Sequence, residues 1–276
     1  MALFWYNNFV MLIKRYIEFP AFTGVEERKM FIYLPNDYQT SEKYYPVLYM
    51  FDGQNVFLDY EATYGRAWRL QEYLDFTGTD LIVVAIECHR GINGERNDEY
   101  GPFEMYVDEG DHVAFADDTL AWFIDVLKPQ IDEEFRTMQD REHTYVAGSS
   151  MGGLLATYAL VKYNEVFSKA GSLSPAYFLC RNKMLNLIKK YDGLDGVLYT
   201  DYGTDDLAVP KAMKDFIDVN GLLSLKGICV TSRIIKDGVH NEETWEKQVP
   251  FMIQVLMYEW WTIKWKNRFN KAILCW

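Results

Sequence analysis

Residues 144–163 constrain this chain more than any other stretch: Thr-Tyr-Val-Ala, then Gly148-Ser149-Ser150-Met151-Gly152, then an apolar run to Tyr163. A short β-forming segment ends on a serine flanked by glycines, and a helix-forming segment begins at once. The glycines have a steric purpose. A serine in such a turn takes up a strained backbone conformation, and a Cβ at position 148 or 152 would crowd the adjoining strand or helix. The Ser150 hydroxyl then stands above the end of a strand, over a helix N-terminus whose free amides and dipole favour negative charge. G-x-S-x-G between a strand and a helix is the context that marks a nucleophilic serine. Ser149, in the variable position, is expected to point into the packed interior.

The rest of the chain supplies a sheet for this turn to sit on. β-rich runs are predicted over 29–34, 47–51, 81–86, 144–147, 169–173, 197–202 and 228–235, and helical patterns over 113–127, 151–163, 182–190, 210–220 and 242–261. Gly24-Val25-Glu26-Glu27 reads as a tight turn between two extended pieces, so the first strand is expected to be antiparallel. The later alternation predicts an α/β fold with a mostly parallel central sheet and helices on both faces. Repeats, low-complexity tracts and Gly/Ser/Pro linkers are absent from the sequence, so 1–276 is read as one domain, with 1–20 an atypical N-terminal extension or strand.

Ligands in such sheets bind beyond the carboxyl ends of the strands. Reactive residues following predicted strands are Asp52, Gly53 and Gln54; His89 and Arg90; Ser150; Ser174; Asp205 and Asp206; and the stretch ending in His240. A serine nucleophile needs a base, and the base an orienting acid, in the chain order serine, acid, histidine. Of the four histidines, His89, His112 and His143 precede Ser150, which leaves His240. Asp201 falls within a predicted strand, so the acid is Asp205 or Asp206, the other capping the next helix. The oxyanion of a tetrahedral intermediate would be held by the Met151 amide and by a donor in the loop after 47–51. Gln54 is the favoured second donor, with Gly53 permitting close backbone approach. Ser172 and Ser174, lacking the flanking glycine pattern, are expected to end a strand near the site.

Composition excludes several other classes. Hydrophobic residues make up 49% of the chain, which argues for a packed core rather than disorder. A net charge of −12 disfavours nucleic-acid binding. Uncharged apolar runs fall short of the ~18 residues of a membrane span, so stable membrane insertion is not expected. Cys88, Cys180, Cys229 and Cys275 lack CxxC or metal-ligand spacing; they read as reduced thiols of a cytoplasmic protein, with neither metal nor cofactor implied. The apolar first dozen residues lack a basic region and a cleavage site, and are read as a strand or a homo-oligomer contact. The basic, aromatic stretch 263–276 is read as a docked last helix rather than a membrane-surface one.

FIYLPNDY (31–38), YYPVLYMFDGQNVF (44–57), GERNDEYGPF (94–103), LKPQIDEEFRT (127–137), the run from Val146 to Phe178, YTDYGTDD (199–206) and DGVHNEETW (237–245) are together far more specific than the elbow alone. Over about residues 27–260 the chain resembles the esterase family of α/β-hydrolases that includes esterase D, enterochelin-esterase-like proteins and feruloyl and acetyl-xylan esterases. The resemblance implies an α/β-hydrolase fold without a large lid, Ser150 as nucleophile and His240 as base. It selects Asp206 as the acid, because the family's acid falls three residues after the glycine, here Gly203. It also implies that Gly53, Arg96, Glu99 and Tyr100 line the pocket. The activity implied is serine carboxylic ester hydrolysis through an acyl-enzyme, on small acyl, aryl or siderophore-type esters. Acyl transfer on the same fold and an inactive binding protein are the alternatives. Arg66, Arg69, Arg90 and Arg96 are candidates to favour an anionic substrate, although exposed arginines are common.

Overall fold

The computed structural model describes residues 11–91, 93–107, 110–208 and 210–259. The chain enters through a long hairpin, β1 (Met11–Ala21) and β2 (Gly24–Leu34). It continues through β3 (Val47–Met50), α1 (Leu70–Thr77), β4 (Ile82–Ile86), α2 (Glu95–Tyr100) and a small hairpin, β5 (Met105–Val107) with β6 (Gly110–His112). Next come α3 (Ala116–Trp122), α4 (Lys128–Glu134), β7 (Thr144–Ser149), α5 (Met151–Lys162), β8 (Lys169–Leu173) and α6 (Tyr177–Lys189). The last described elements are β9 (Val197–Gly203), α7 (Lys211–Leu225), β10 (Cys229–Ile235), α8 (Glu242–Glu246) and α9 (Val249–Met257).

Eight strands form one sheet in the order β1-β2-β4-β3-β7-β8-β9-β10. β1 and β2 are antiparallel to each other, β2 is antiparallel to β4, and the remaining pairs are parallel. Every residue of β3, β4, β7, β8 and β9 is buried. Such strands read as continuous apolar runs because helices cover both faces of a parallel sheet. One face packs Leu120, Leu154, Met184, Phe216 and Leu223 from α3, α5, α6 and α7. The other packs Leu70, Leu74, Met252 and Leu256 from α1 and α9. Full burial of each such side chain contributes ~1.5–3 kcal/mol. α5 is buried on almost every side, from Met151 to Val161, which fixes the helix that begins at Ser150.

Several boundaries differ from the sequence expectation, each for a local reason. The first turn is Phe22-Thr23, between the paired residues Ala21 and Gly24, and 24–27 belong to β2. Gly24 has φ +120°, a conformation other residues rarely adopt, so the glycine opens the strand rather than heading the turn. The helix expected over 113–127 starts at Ala116 and runs on through a π-helical turn, Phe123–Leu127, into α4. Pro129 lacks the amide that would bond the Asp125 carbonyl, and the wider turn accommodates it. The helix expected over 242–261 breaks before Val249, where Pro250 starts a new first turn as α9. The short α1, α2 and β5–β6 elements fall outside the runs expected from the sequence.

No helix among the described residues is long and apolar enough to cross a membrane. Cys88 and Cys180 are buried free thiols. The apolar first ten residues and 260–276, with Cys275, lie outside the described residues.

Candidate active site

Ser149 ends β7 and Met151 begins α5, leaving Ser150 alone in the turn at φ 57°, ψ −118°. The turn is held on both sides: the Ser150 amide donates to the Leu173 carbonyl at 2.9 Å, and the Ser150 carbonyl accepts from Ala176 at 3.1 Å. The flanking glycines are sterically required. A Cβ on Gly148 would lie 2.8 Å from the Gly152 backbone, and one on Gly152 would lie 3.0 Å from the Asp52 carboxylate. Ser149 is buried, facing inward.

His240 lies on the loop that follows β10, the next parallel strand outward from β9. Asn241 caps α8, its Oδ1 accepting the Thr244 amide at 3.0 Å, which fixes the chain just after the histidine. His240 Nε2 is 2.9 Å from Ser150 Oγ, and Nδ1 is 2.6 Å from Asp206 Oδ1. A proton on Nδ1 satisfies the carboxylate and leaves Nε2 free to accept from the serine. Gly203, at the end of β9, allows the acid loop and the base loop to touch: a Cβ there would lie 2.1 Å from the Gly238 carbonyl.

The structure brings Asp206 to the histidine and leaves Asp205 exposed, its amide bonded to the Gly238 carbonyl at 3.0 Å. Asp206 is 8% exposed and accepts two further hydrogen bonds, from the Leu207 amide at 2.6 Å and from Ser174 Oγ at 2.7 Å. Burial pushes its carboxyl up, but the His240 ring, the Ser174 hydroxyl and the Leu207 amide outweigh this and hold it below the ordinary carboxylate range. Asp201 is fully buried within β9; burial, with a smaller push from the like charge of Asp206, raises its carboxyl to about 7.

Met151 and Gln54 both lie in first turns, of α5 and of a short 3₁₀ turn Gly53–Asn55, where backbone amides have no intrahelical acceptor. The Gln54 side chain is tied inward, Oε1 accepting the Cys88 amide and Nε2 donating to Cys88 Sγ, each at 3.2 Å. A donor at position 54 is therefore the backbone N–H. Gly53 presses against β4; a Cβ there would lie 2.6 Å from the Ala85 backbone.

Arg96, Glu99 and Tyr100 do not form one pocket wall. Arg96 grips Asp52 with two hydrogen bonds of 2.6 Å and reaches the Ser149 carbonyl at 3.4 Å, so it straps the loop after β3 to the elbow. Tyr100 lies beneath, its hydroxyl accepting the Asp52 amide at 3.0 Å, and Glu99 is paired with the buried Arg28 at 2.8 Å. Both are nearly inaccessible, at 2% and 4% exposure, a layer below any substrate surface. Arg66 pairs with Glu246, Arg69 with Asp59, Arg90 with Glu87 and Arg96 with Asp52. All four charges are matched by carboxylates, which removes the case for an anion-selective entrance.

Two residues of the site have roles that sequence reasoning missed. Ser174 reads from sequence only as the end of a strand near the site, yet its hydroxyl touches Asp206. Trp245, five residues after His240, donates from Nε1 to Ser174 Oγ at 2.9 Å and sets its ring edge-on to the imidazole, centroids 5.0 Å apart. Glu242, buried beside them, accepts from Asn55 and ties the base loop to the loop after β3.

A hydroxyl, an imidazole and a carboxylate in line, with the hydroxyl at the N-terminus of α5, suit acyl transfer to serine. The comparisons with known proteins agree at the level of family and fold. An esterase of Mycobacterium tuberculosis is 31% identical over 143 residues, 52% of this chain and 28% of that protein. The matches span 28–58% of the length of the curated relatives. The IroE-like serine hydrolase from Shewanella oneidensis superposes with a TM-score of 0.70 at 21% identity, covering 87% of this chain and 79% of that one. The enterobactin and salmochelin hydrolase IroE superposes with a TM-score of 0.66 at 15% identity, covering 91% of this chain and 97% of that one. These likenesses show a shared fold, an α/β architecture with a mostly parallel sheet. The family model described as Putative esterase matches residues 24–256, a span that holds the elbow, the acid loop and the base loop, and the chain belongs to that family.

Proposed function

We propose that this protein is a serine carboxylic ester hydrolase working through Ser150, His240 and Asp206. The observation that carries the proposal is the unbroken chain Ser150 Oγ–His240–Asp206 at 2.9 and 2.6 Å. Ser150 Oγ attacks the ester carbonyl while His240 Nε2 takes its proton, and Asp206 steadies the imidazolium. The oxyanion is held by the Met151 and Gln54 amides, each such donor contributing ~3 kcal/mol. Collapse expels the alcohol, protonated by His240, and leaves the acyl group on Ser150. Water then attacks, delivering a proton to the same nitrogen, and the carboxylic acid departs with Ser150 regenerated.

The substrate class is small acyl, aryl or siderophore-type esters. Between β8 and β9 the chain builds one helix, α6, rather than a long apolar lid, which favours soluble esters over lipid aggregates. Residues 11–259 are read as one catalytic domain, since the sheet draws a strand from every quarter of them. A reducing, cytoplasmic setting is part of the proposal, in keeping with the buried thiols of Cys88 and Cys180. A panel of p-nitrophenyl, feruloyl and acetyl esters tests it: cleavage by the wild type, lost in Ser150→Ala, is expected. No turnover of any ester would overturn it, and new esters of added acceptor alcohols, formed in place of the free acids, would redirect it to acyl transfer.

A further inference from the structure

Catalytic carboxylates of this kind must present one oxygen to the imidazole while the other is prevented from competing. In Asp206, Oδ1 is taken by His240 Nδ1 and the Leu207 amide. Oδ2 receives Ser174 Oγ at 2.7 Å, and Ser174 Oγ in turn accepts from Trp245 Nε1 at 2.9 Å. An indole N–H can only donate, so the Ser174 hydroxyl, accepting from it, must send its own proton to Asp206. The direction of the chain is thus fixed by chemistry: Trp245 N–H to Ser174 O–H to Asp206.

We infer that Ser174 and Trp245 are positioning residues for the reaction, a two-step donor chain that locks the Asp206 carboxylate in the rotation that serves His240. The inference rests on the triad proposed above. Its geometry is costly to build, which argues for a specific purpose. Ser174 sits at φ 42°, a left-handed conformation unfavourable to a residue with a Cβ, and is 1% exposed. Its amide is held at the same time by the carbonyl of Asp201 at 3.0 Å, and by the Asp201 carboxylate at 3.3 Å. Trp245, 4% exposed, acts twice, donating to Ser174 and flanking the His240 ring at an interplanar angle of 84°. A rotated carboxylate would hold the imidazolium less well, so the loss should fall on the chemical step rather than on binding.

Ser174→Ala is expected to lower kcat about ten- to hundredfold, as loss of one hydrogen bond to a buried charge does, with KM within about twofold. Trp245→Phe keeps the ring beside His240 but removes the donor, and should lower kcat by a smaller factor, again with KM within about twofold. In the Ser174→Ala background, Trp245→Phe should change kcat by less than about twofold, since the chain is already cut. If Ser174→Ala does not fold, Ser174→Gly, which suits φ 42°, takes its place. Folded variants with wild-type kcat, or losses shared between kcat and KM, or fully multiplicative losses in the double variant, would overturn the inference. Should Ser150→Ala and Asp206→Asn be inactive while Ser174→Ala is unaffected, the triad stands and only the donor chain falls; if Ser150→Ala keeps full activity, the triad itself fails.

Discussion

Asp201 offers a test of how the sheet carries its buried charge behind the site. It lies in the middle of β9 with no solvent exposure, one carboxylate oxygen accepting the Ser174 amide and the other without a hydrogen-bond partner. Burial raises its carboxyl from the ordinary 3.8 to about 7. The folded state therefore holds this proton more tightly than the unfolded chain. Below about pH 4 both states are protonated and no penalty exists. Between about pH 4 and 7 the unfolded carboxyl ionises while the folded one does not, and stability falls as pH rises. Above about pH 7 the penalty is complete, and three pH units correspond to ~4 kcal/mol. Asn at 201 keeps the shape and the acceptor for Ser174 but does not titrate. Asp201→Asn should thus gain stability relative to wild type by ~2–4 kcal/mol between about pH 4.5 and 8, the gain concentrated below pH 7. Urea unfolding followed by tryptophan fluorescence across that range measures it, with equal slopes required of both proteins. A stability difference constant to within ~0.5 kcal/mol over the whole range would refute the reasoning.

Asp206→Asn should lower kcat by orders of magnitude, up to about 10⁴, while Asp205→Asn stays within about tenfold, its loss being that of a surface group; steady-state kinetics with one aryl ester compares them. Gly53→Ala should cost about tenfold or more in kcat, because its Cβ must displace the Ala85 backbone and with it the Gln54 amide; wild-type kcat in the folded variant would remove Gln54 from the oxyanion site. Activity should survive EDTA, because the proposed steps use no metal; loss in chelator restored by zinc or manganese would contradict that.

What could be read from the sequence was the part written in local chemistry. The elbow is legible because a strained serine demands glycine on either side, and the parallel sheet because strands buried on both faces are apolar throughout. His240 could be singled out by chain order alone. The choice between Asp205 and Asp206 could not be made from chemistry, since two adjacent aspartates after a strand differ only in which way the backbone turns; the Gly203–Gly238 contact sets that. Ser174 and Trp245 were invisible as a pair because they lie 71 residues apart and meet only through folding. Glu99 and Tyr100 follow the same logic in reverse: a loop motif near the site was read as pocket wall, while the structure uses it as the support beneath Asp52.

The most direct test of the central claim is reaction with a fluorophosphonate, followed by peptide mass spectrometry. One covalent adduct per chain, on Ser150, is expected in the wild-type protein; it should be absent in Ser150→Ala and form far more slowly in His240→Ala. Stoichiometric labelling of a different serine, or equal labelling rates with and without the His240 imidazole, would contradict the assignment of nucleophile and base.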